Sequence, residues 1–367
     1  MLKTLALVFS FFVFFTGSAL AQTQTPQKQE FFKARVIAVV GQGTKIQEGN
    51  KIYYQKLKVK IEQGPKQGKE IIIDNESQSM LSQSIHLSKG SEIIVSQNFN
   101  QSGKITYAFY DFYRINFLII FLALFFILIV LVGGFKGLGS ISGMIISLAI
   151  ILIYIVPSVL KGAAPLTTAI IGSTLIIIVT TFLAHGFHKR SVIALVSTLI
   201  SIVLAGFFAT LAIHFGSITG LGNEDFANLQ IGPTSNINIQ GLFLGALIIG
   251  TLGALNDITT TQAATIEEFA KMNPKVKAEE LFDKGLKVGR EHIASLINTL
   301  VLAYAGSAFA IFIFFVLNPL KVPYWVILNN EIISDEVVRI IAGSIGLLLS
   351  VPIVTFLASL FYGKVEA

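Results

Sequence analysis

The stretch that decides the fold is Gly241–Thr265, GLFLGALIIGTLGALNDITTTQAAT, which is mostly apolar around a central Asn256-Asp257 pair. An apolar stretch of about 20 residues predicts a helix that crosses a membrane. An ionisable residue inside such a helix costs about 2.5–3.5 kcal/mol on insertion scales, so it usually faces a bundle interior or a water-filled path. Asp257 is therefore the leading candidate for a functional residue. The alternative is an Asp257 close enough to the bilayer edge to be solvated.

The composition of the whole chain is typical of a protein embedded in lipid. Hydrophobic residues make up 53% of the 367 residues, charged residues make up only 13%, and the mean hydropathy is +0.73. A soluble domain carries about 25% charged residues. The formal charge of +6 is spread over loops, which argues against nucleic-acid binding. The chain has no cysteine, so disulfides and thiolate metal sites are excluded.

The apolar segments predict an α-helical polytopic membrane bundle of seven spans. Each predicted span is long enough to cross about 30 Å of hydrocarbon. Glycine and charged residues separate the spans, as at Gly133-Gly134 and Lys161-Gly162. The predicted spans are 115–135, 138–160, 165–185, 191–215, 240–262, 293–317 and 338–361.

The N-terminal third of the chain has a different pattern. Residues 1–21 resemble a cleaved signal peptide, with Lys3, an apolar core and the small-residue site Ala19-Leu20-Ala21; the alternative is a retained anchor helix. Residues 22–113 contain five short alternating runs separated by glycine-rich turns. Such runs predict half-buried strands, and five of them suit a small β-rich, OB-like domain.

Charge bias predicts the orientation of the membrane domain, residues 114–367. Basic residues crowd one set of loops and are sparse in the other, and the richer side is cytoplasmic by the positive-inside rule. This rule puts residues 22–113 outside the cytoplasm and the C-terminus inside, and the signal peptide agrees. The cytoplasmic group is Lys136, Lys189, Arg190, Lys271, Lys275, Lys277, Lys284, Lys287, Arg290 and Lys364, against Arg114, Lys161, Lys321 and Arg339.

Between the fifth and sixth spans, residues 274–290 predict an amphipathic cytoplasmic elbow helix that begins at an Asn273-Pro274 cap. The two spans that it joins are antiparallel, so Asp257 and Asn298 would both lie about 10 Å deep. We therefore predict one polar cluster. Its members are Asn256, Asp257, Thr260, Thr261, Asn298 and Thr299. Two interpretations stay open: a hydrogen-bonded structural clamp, or a proton- or cation-responsive site.

Other constellations carry less chemistry. Glu336 and Arg339 are three residues apart at the start of the last span, which predicts a structural ion pair. Histidines at span borders, such as His185, are usually solvated anchors. There is no P-loop, G-x-S-x-G or H-E-x-x-H motif, so we expect no enzyme activity, no cofactor and no metal.

Several motifs closely resemble the YibE/F family of bacterial multi-pass membrane proteins. They are Leu252–Asp257, Glu267-Glu268, Gly289-Arg290, Asn298–Leu300, Leu302–Ser307 and Gly343–Gly346. Ile258–Thr261 departs from the apolar and small residues expected there. A fainter resemblance, carried by Leu255-Asn256-Asp257 and the polar elbow, is to the SecD/SecF group of proton-driven export proteins. The family resemblance implies a plasma-membrane architecture more than an activity.

Together these observations predict a transport-like or export-assisting protein of the bacterial plasma (inner) membrane with a protonatable Asp257. The alternative is a non-transporting scaffold or sensor whose outer domain binds a protein partner. In either case the lipid bilayer is the surrounding partner and nucleic acid is not.

The predicted orientation can be tested by thiol labelling of intact cells. Because the native chain has no cysteine, Ser102→Cys and Lys277→Cys each introduce a single thiol. A membrane-impermeant reagent should label Ser102→Cys from outside and should label Lys277→Cys only after lysis. The opposite pattern would overturn the orientation.

Overall fold

The structure is a computed structural model that describes residues 30–47, 50–76, 86–99, 105–222, 224–231, 234–319 and 321–364. The signal peptide predicted at residues 1–21 lies outside these residues. The chain forms two compact units, of which the first ends at Phe125 and the second begins at Phe126.

The helices confirm the predicted polytopic bundle. Six of them are long and apolar enough to cross a membrane, and α7 with α8 raises the number to seven if this bent pair is one span. The six single spans are α1, α2, α3, α4, α6 and α10. The bounds are α1 Ile115–Phe135, α2 Gly137–Leu160, α3 Pro165–His185, α4 Lys189–Gly216, α5 Glu224–Leu229, α6 Ile239–Met272, α7 Ala278–Ser307, α8 Phe309–Leu317, α9 Tyr324–Leu328 and α10 Glu331–Tyr362.

The sixth span differs from the sequence-based prediction in two ways. The straight span expected at 293–317 is bent by 67° between α7 and α8. The separate elbow helix expected at 274–290 is instead the first half of α7, which begins at Ala278 and runs unbroken to Ser307. Asn273 does not begin the elbow helix as predicted but follows the end of α6, because its φ of −133° and ψ of 89° are an extended conformation that a following proline favours.

Helix α6 lies at the centre of the bundle, where it contacts α3, α4, α7 and α10. The pairs α3–α4, α4–α10 and α10–α7 also pack together, so the neighbours surround α6 in the order α3, α4, α10, α7. Its largest fully buried side chains include Leu247, Ile248, Leu255 and Ile258. By contrast, none of the described residues in the most apolar stretch of α1 is buried.

Contacts between loops and helix ends define the two ends of the bundle. At one end Arg190 Nη1 lies 3.2 Å from Glu267 Oε2, and the Lys364 amide donates to the Val276 carbonyl. At the other end the Thr219 amide donates to Glu331 Oε1 over 2.6 Å. The first end contains the start of α4, the end of α6, the start of α7 and the end of α10. These segments carry many of the basic residues of the predicted cytoplasmic group.

The N-terminal unit contains a five-stranded antiparallel sheet of order β3-β2-β1-β4-β5. The two outer strands, β3 and β5, approach each other, so the sheet curls into the OB-like arrangement predicted. The strands are β1 Glu30–Gln47, β2 Asn50–Ile61, β3 Glu70–Glu76, β4 Glu92–Phe99 and β5 Ile105–Phe112.

Strand β1 is longer than its sequence predicts. Gly41 and Gly43 are turn signals in the sequence, but in the structure they pair with Lys56 and Tyr54 of β2. The ladder shifts register between Val36 and Ala38, and again before Gly41. Such bulges bend a strand and increase its twist, which lets one long strand follow the curl of the sheet.

The concave side of the sheet holds the core, and the period-two pattern decides which residues enter it. Leu57, Val59 and Ile61 are fully buried, while the lysines between them point away. The core residues are Phe32, Ala34, Val36, Leu57, Val59, Ile61, Ile71, Ile73, Leu87, Ile93 and Val95.

An ion-pair network joins three strands at one edge of this core. Arg35 of β1 lies 2.5 Å from Glu62, just after β2, and 2.5 Å from Glu92 of β4. Lys33 Nζ lies 3.0 Å from Glu92. The hydrogen bond from Arg35 lowers the pKa of Glu62 below its ordinary value. The network therefore favours ionised Glu62 and contributes less stability as the pH falls.

Adjacent isoleucines test the core. Ile73 is fully buried and Ile72 is 53% exposed. In residues 22–113 expressed alone, which we expect to fold as a β domain, Ile73→Ala should lower the free energy of unfolding by about 2–5 kcal/mol. Ile72→Ala should change it by no more than about 0.5 kcal/mol. Urea unfolding followed by circular dichroism measures both. Equal effects, or a coil spectrum for the unsubstituted domain, would contradict the fold.

Candidate functional site

Helix α6 carries three polar side chains at every third position, Asn256, Thr259 and Gln262, here called the α6 polar row. Each member reaches a different neighbouring helix. A helix turns by about 100° per residue, so successive members are rotated by about 60° around the axis. The neighbouring helices are arranged around α6 in the same rotational order. Asn256 therefore contacts α3, Thr259 contacts α4, and Gln262 contacts α10 and α7.

Hydrogen bonds of good length define the row. Thr181 Oγ1 of α3 donates to Asn256 Oδ1 over 2.9 Å. The hydroxyls of Thr198 in α4 and Thr259 lie 2.6 Å apart. Buried Gln262 donates from Nε2 to the Gly285 carbonyl of α7 over 2.7 Å and to Thr355 Oγ1 of α10 over 2.8 Å. The row thus bonds α6 to each of its four neighbours.

Glycines allow α7 to come close enough for the Gln262 contact. A Cβ built on Gly285 would lie 2.1 Å from Ile266 Cδ1, and one on Gly289 would lie 2.3 Å from Val351 Cγ1. Both distances are far inside ordinary contact. Small residues at helix interfaces let backbones approach in this way, and the Gly285 carbonyl thereby becomes reachable from α6.

Asp257 follows Asn256 and is exposed in the isolated chain. Helices α3 and α6 run parallel, since Pro165 lies near Gly245 and Thr181 near Asn256. His185, one turn beyond Thr181, therefore comes to the level of Asp257 and interacts with it electrostatically. The carboxylate thus lies at the α3–α6 contact, at the end of the bundle that includes Arg190.

The structure divides the polar cluster predicted from the sequence. Asn256 belongs to the α6 polar row, and Thr260 Oγ1 donates to the backbone carbonyl of Asn256 over 2.8 Å. Thr261 and Asn298 are exposed, and Thr299 donates within its own helix to Ser295. Among the described residues no hydrogen bond joins Asp257 to Asn298 or Thr299. The functional role of these six residues stays a prediction.

Sequence reasoning did not identify Thr181, Thr198, Gln262 and Thr355, and it treated His185 only as a border anchor. Hydroxyls in apolar helices commonly bond to the carbonyl one turn back, as Ser197 does to Ile193. A threonine that bonds across helices therefore looks the same in sequence as one that bonds within its own helix. Gln262 was the available signal for a contact between helices: it lies in an apolar stretch, and a buried amide needs hydrogen-bond partners.

A second polar site lies at the opposite end of the bundle, on the first turns of α10. Glu331 Oε1 accepts from the Thr219 amide, the Thr219 hydroxyl and the Gly220 amide, at 2.6, 2.7 and 2.8 Å. Glu336 and Arg339 lie 3.7 Å apart, and the Arg339 guanidinium lies 5.3 Å from the centre of the Phe243 ring of α6.

Neither site has a metal-ligand set. Within the described ranges, no three His, Cys, Asp or Glu side chains come close enough together to hold a metal ion. The side chains of the two sites offer hydrogen bonds and, at the carboxylates, ionisable groups.

The fold and the polar row define a class: a multi-pass helical membrane protein with an OB-like N-terminal domain and interhelical hydrogen bonds inside the bundle. Within this class the chain belongs to the YibE/F family. The YibE/F-like protein family matches residues 121–364, and the YibE/F family N-terminal domain matches residues 32–112. No curated protein and no solved structure matches the chain, and the fainter resemblance to SecD/SecF gains no support.

The Glu336–Arg339 pair can be tested by a double-mutant cycle. Both side chains are mostly buried, so Glu336→Ala and Arg339→Ala should each destabilise the detergent-solubilised protein, with a coupling of about 0.5–3 kcal/mol. The matched control is Glu280–Lys284, an exposed pair within α7, whose coupling should not exceed about 0.5 kcal/mol. Reversible chemical denaturation measures both cycles. Additive losses at Glu336 and Arg339 would mean that the two do not interact.

Proposed function

We propose that this YibE/F-family protein is a transport-like or export-assisting protein of the bacterial plasma membrane, and that Asp257 is its proton- or cation-responsive group. The observation that carries the proposal is an ionisable residue on the central helix of the bundle, beside a polar contact to α3. Carboxylates inside membrane spans are costly, and they are usually retained at paths for ions or protons.

The surroundings of Asp257 suggest how a proton could act there. The Thr181–Asn256 hydrogen bond fixes α3 against α6 immediately beside the carboxylate. Ionised Asp257 attracts a protonated His185 across this contact, and neutral Asp257 does not. Loading of a proton would therefore weaken the α3–α6 contact, and release of the proton would strengthen it. A cation other than a proton would act through the same charge.

The orientation in the membrane belongs to the same proposal. The end of the bundle that gathers Arg190, Lys271 and Lys277 would be cytoplasmic by the positive-inside rule. The OB-like domain would then lie outside the cytoplasm, and Asp257 would lie closer to the cytoplasmic than to the outer face.

A second candidate function is a scaffold or sensor whose outer domain binds a protein partner. It is favoured by an aromatic pair on the sheet surface, Phe31 and Tyr110, which are 49% and 60% exposed. Their rings meet edge to face, with centres 4.8 Å apart. Exposed aromatic residues are common in binding surfaces.

Proton flux in reconstituted vesicles separates the two candidates. Vesicles loaded with a pH-sensitive dye and driven by a potassium diffusion potential should show proton entry with the native protein. Asp257→Asn should reduce entry to the level of empty vesicles, because an amide cannot take up a proton. Asp283→Asn, at an exposed acid of α7, is the matched control and should retain the flux.

Stability measurements guard against a trivial loss of flux. Asp257→Asn should insert and keep its thermal stability, since a neutral amide is cheaper in a membrane than a carboxylate. Asn256→Leu should instead lower stability by about 1–3 kcal/mol, because it leaves the Thr181 hydroxyl without its partner. Absence of proton flux through the native protein, or native flux in Asp257→Asn, would remove the proton mechanism and favour the scaffold.

A further inference from the structure

Asp335, on the second turn of α10, is a buried carboxyl with few donors around it among the described residues. The residue is only 3% exposed. Neither carboxyl oxygen has a hydrogen-bond partner of ordinary geometry among the residues that the structure describes, although the Gly222 amide lies close. A buried carboxylate normally accepts several hydrogen bonds or pairs with a cation, so an ionised Asp335 would be unfavourable in this position.

Glu331 provides an internal comparison. It lies four residues before Asp335 on the same face of α10, and it contacts the same segment, residues 217–222 between α4 and α5. One of its oxygens accepts hydrogen bonds from the Thr219 amide, the Thr219 hydroxyl and the Gly220 amide. Three donors to one oxygen suit an ionised carboxylate. The segment therefore supplies three donors to one acid of the pair and none of good geometry to the other.

The contact between this segment and α10 is close. A Cβ built on Gly222 would lie 2.7 Å from Asp335 Oδ2 and 2.8 Å from the Glu331 carbonyl carbon. A larger residue at position 222 would therefore clash with the Asp335 carboxyl and with the backbone of α10. Because residues 217–222 cover the carboxyl, their movement away from α10 would expose an ionised Asp335 to water.

The charged groups around Asp335 compensate a negative charge on it only in part. The groups that act on it electrostatically are Glu331, Glu336 and Arg339, all from α10. Arg339 already lies beside Glu336 and over the Phe243 ring of α6. Tyr304 of α7 faces Arg339 and Glu336, and residues 217–222 contain no charged side chain. An ionised Asp335 would add a third negative charge to a site with one arginine.

We propose that Asp335 is a proton-binding site: its protonated carboxyl keeps residues 217–222 packed on α10, and its ionised form releases them. The ligand of this site is a proton, which removes the negative charge that the surroundings of Asp335 disfavour. The site lies at the opposite end of the bundle from Asp257, and it does not depend on the transport proposal.

A spin label on the segment tests the proposal in the full-length protein. The chain has no cysteine, so Leu221→Cys places a single nitroxide on the exposed side of the segment. We expect an immobilised spectrum at acidic pH that becomes mobile between about pH 5 and 8. For one proton, the ratio of mobile to immobile label should change about tenfold per pH unit. A label at Phe215→Cys, on the exposed end of α4, should show no such transition.

Variants identify the titrating group. Asp335→Asn cannot ionise and should keep the Leu221→Cys label immobile at every pH, whereas Asp283→Asn should leave the transition unchanged. Asp335→Leu is a second neutral variant, for use if the amide fails to fold. The transition should also persist in Asp257→Asn, so that failure of the Asp257 mechanism leaves this test intact. A pH-independent label in the native background, or a native transition in either Asp335 variant, would overturn the proposal.

Discussion

The bundle depends on hydrogen bonds that the polar row of α6 makes inside an apolar environment. Lipid tails are as apolar as leucine side chains, so burial of leucine does not by itself drive helices together in a membrane. Close packing and polar contacts between helices must do so. Asn256, Thr259 and Gln262 bond α6 to α3, α4, α7 and α10, because a three-residue step turns each side chain toward the next neighbour. Helix α6 is thereby fixed in rotation as well as in depth.

Glycines supply the close packing that these hydrogen bonds require. On α7, Gly285 and Gly289 bring the backbone against Ile266 and Val351. On α10, a Cβ at Gly343 would lie 2.6 Å from Thr251 Cγ2 of α6. At such short distances a larger residue would require a neighbouring side chain or a helix to shift. The amphipathic start of α7 therefore packs as part of the bundle and continues directly into the membrane.

The two polar sites are connected through the same pair of helices. Helix α6 carries Asp257 near one end and, toward the other, Phe243 beneath the Arg339 guanidinium. Helix α10 carries Asp335 on its second turn and Thr355, bonded to Gln262, about five and a half turns later. Both carboxyls thus lie on helices that pack against each other along the bundle. A rotation or shift of α10 relative to α6 would alter the surroundings of both, and packed helices of this kind are a physical route for coupling between sites.

Hydropathy, length and alternation determined the architecture, because these signals are local. The bounds of spans such as Pro165–His185 and Lys189–Gly216 could be predicted within a few residues. The same holds for the bounds of strands such as Asn50–Ile61. The spacing of Glu336 and Arg339 also placed both on one helical face. Only the tertiary structure decided which polar residues meet. Gln262 and Thr355 are 93 residues apart, and the burial of Asp335 arises because residues 217–222 fold back onto α10. Sequence periodicity specifies one face of one helix. A hydrogen bond between helices depends on which helices are neighbours and on how closely they pack, and glycines far away in the sequence set that closeness.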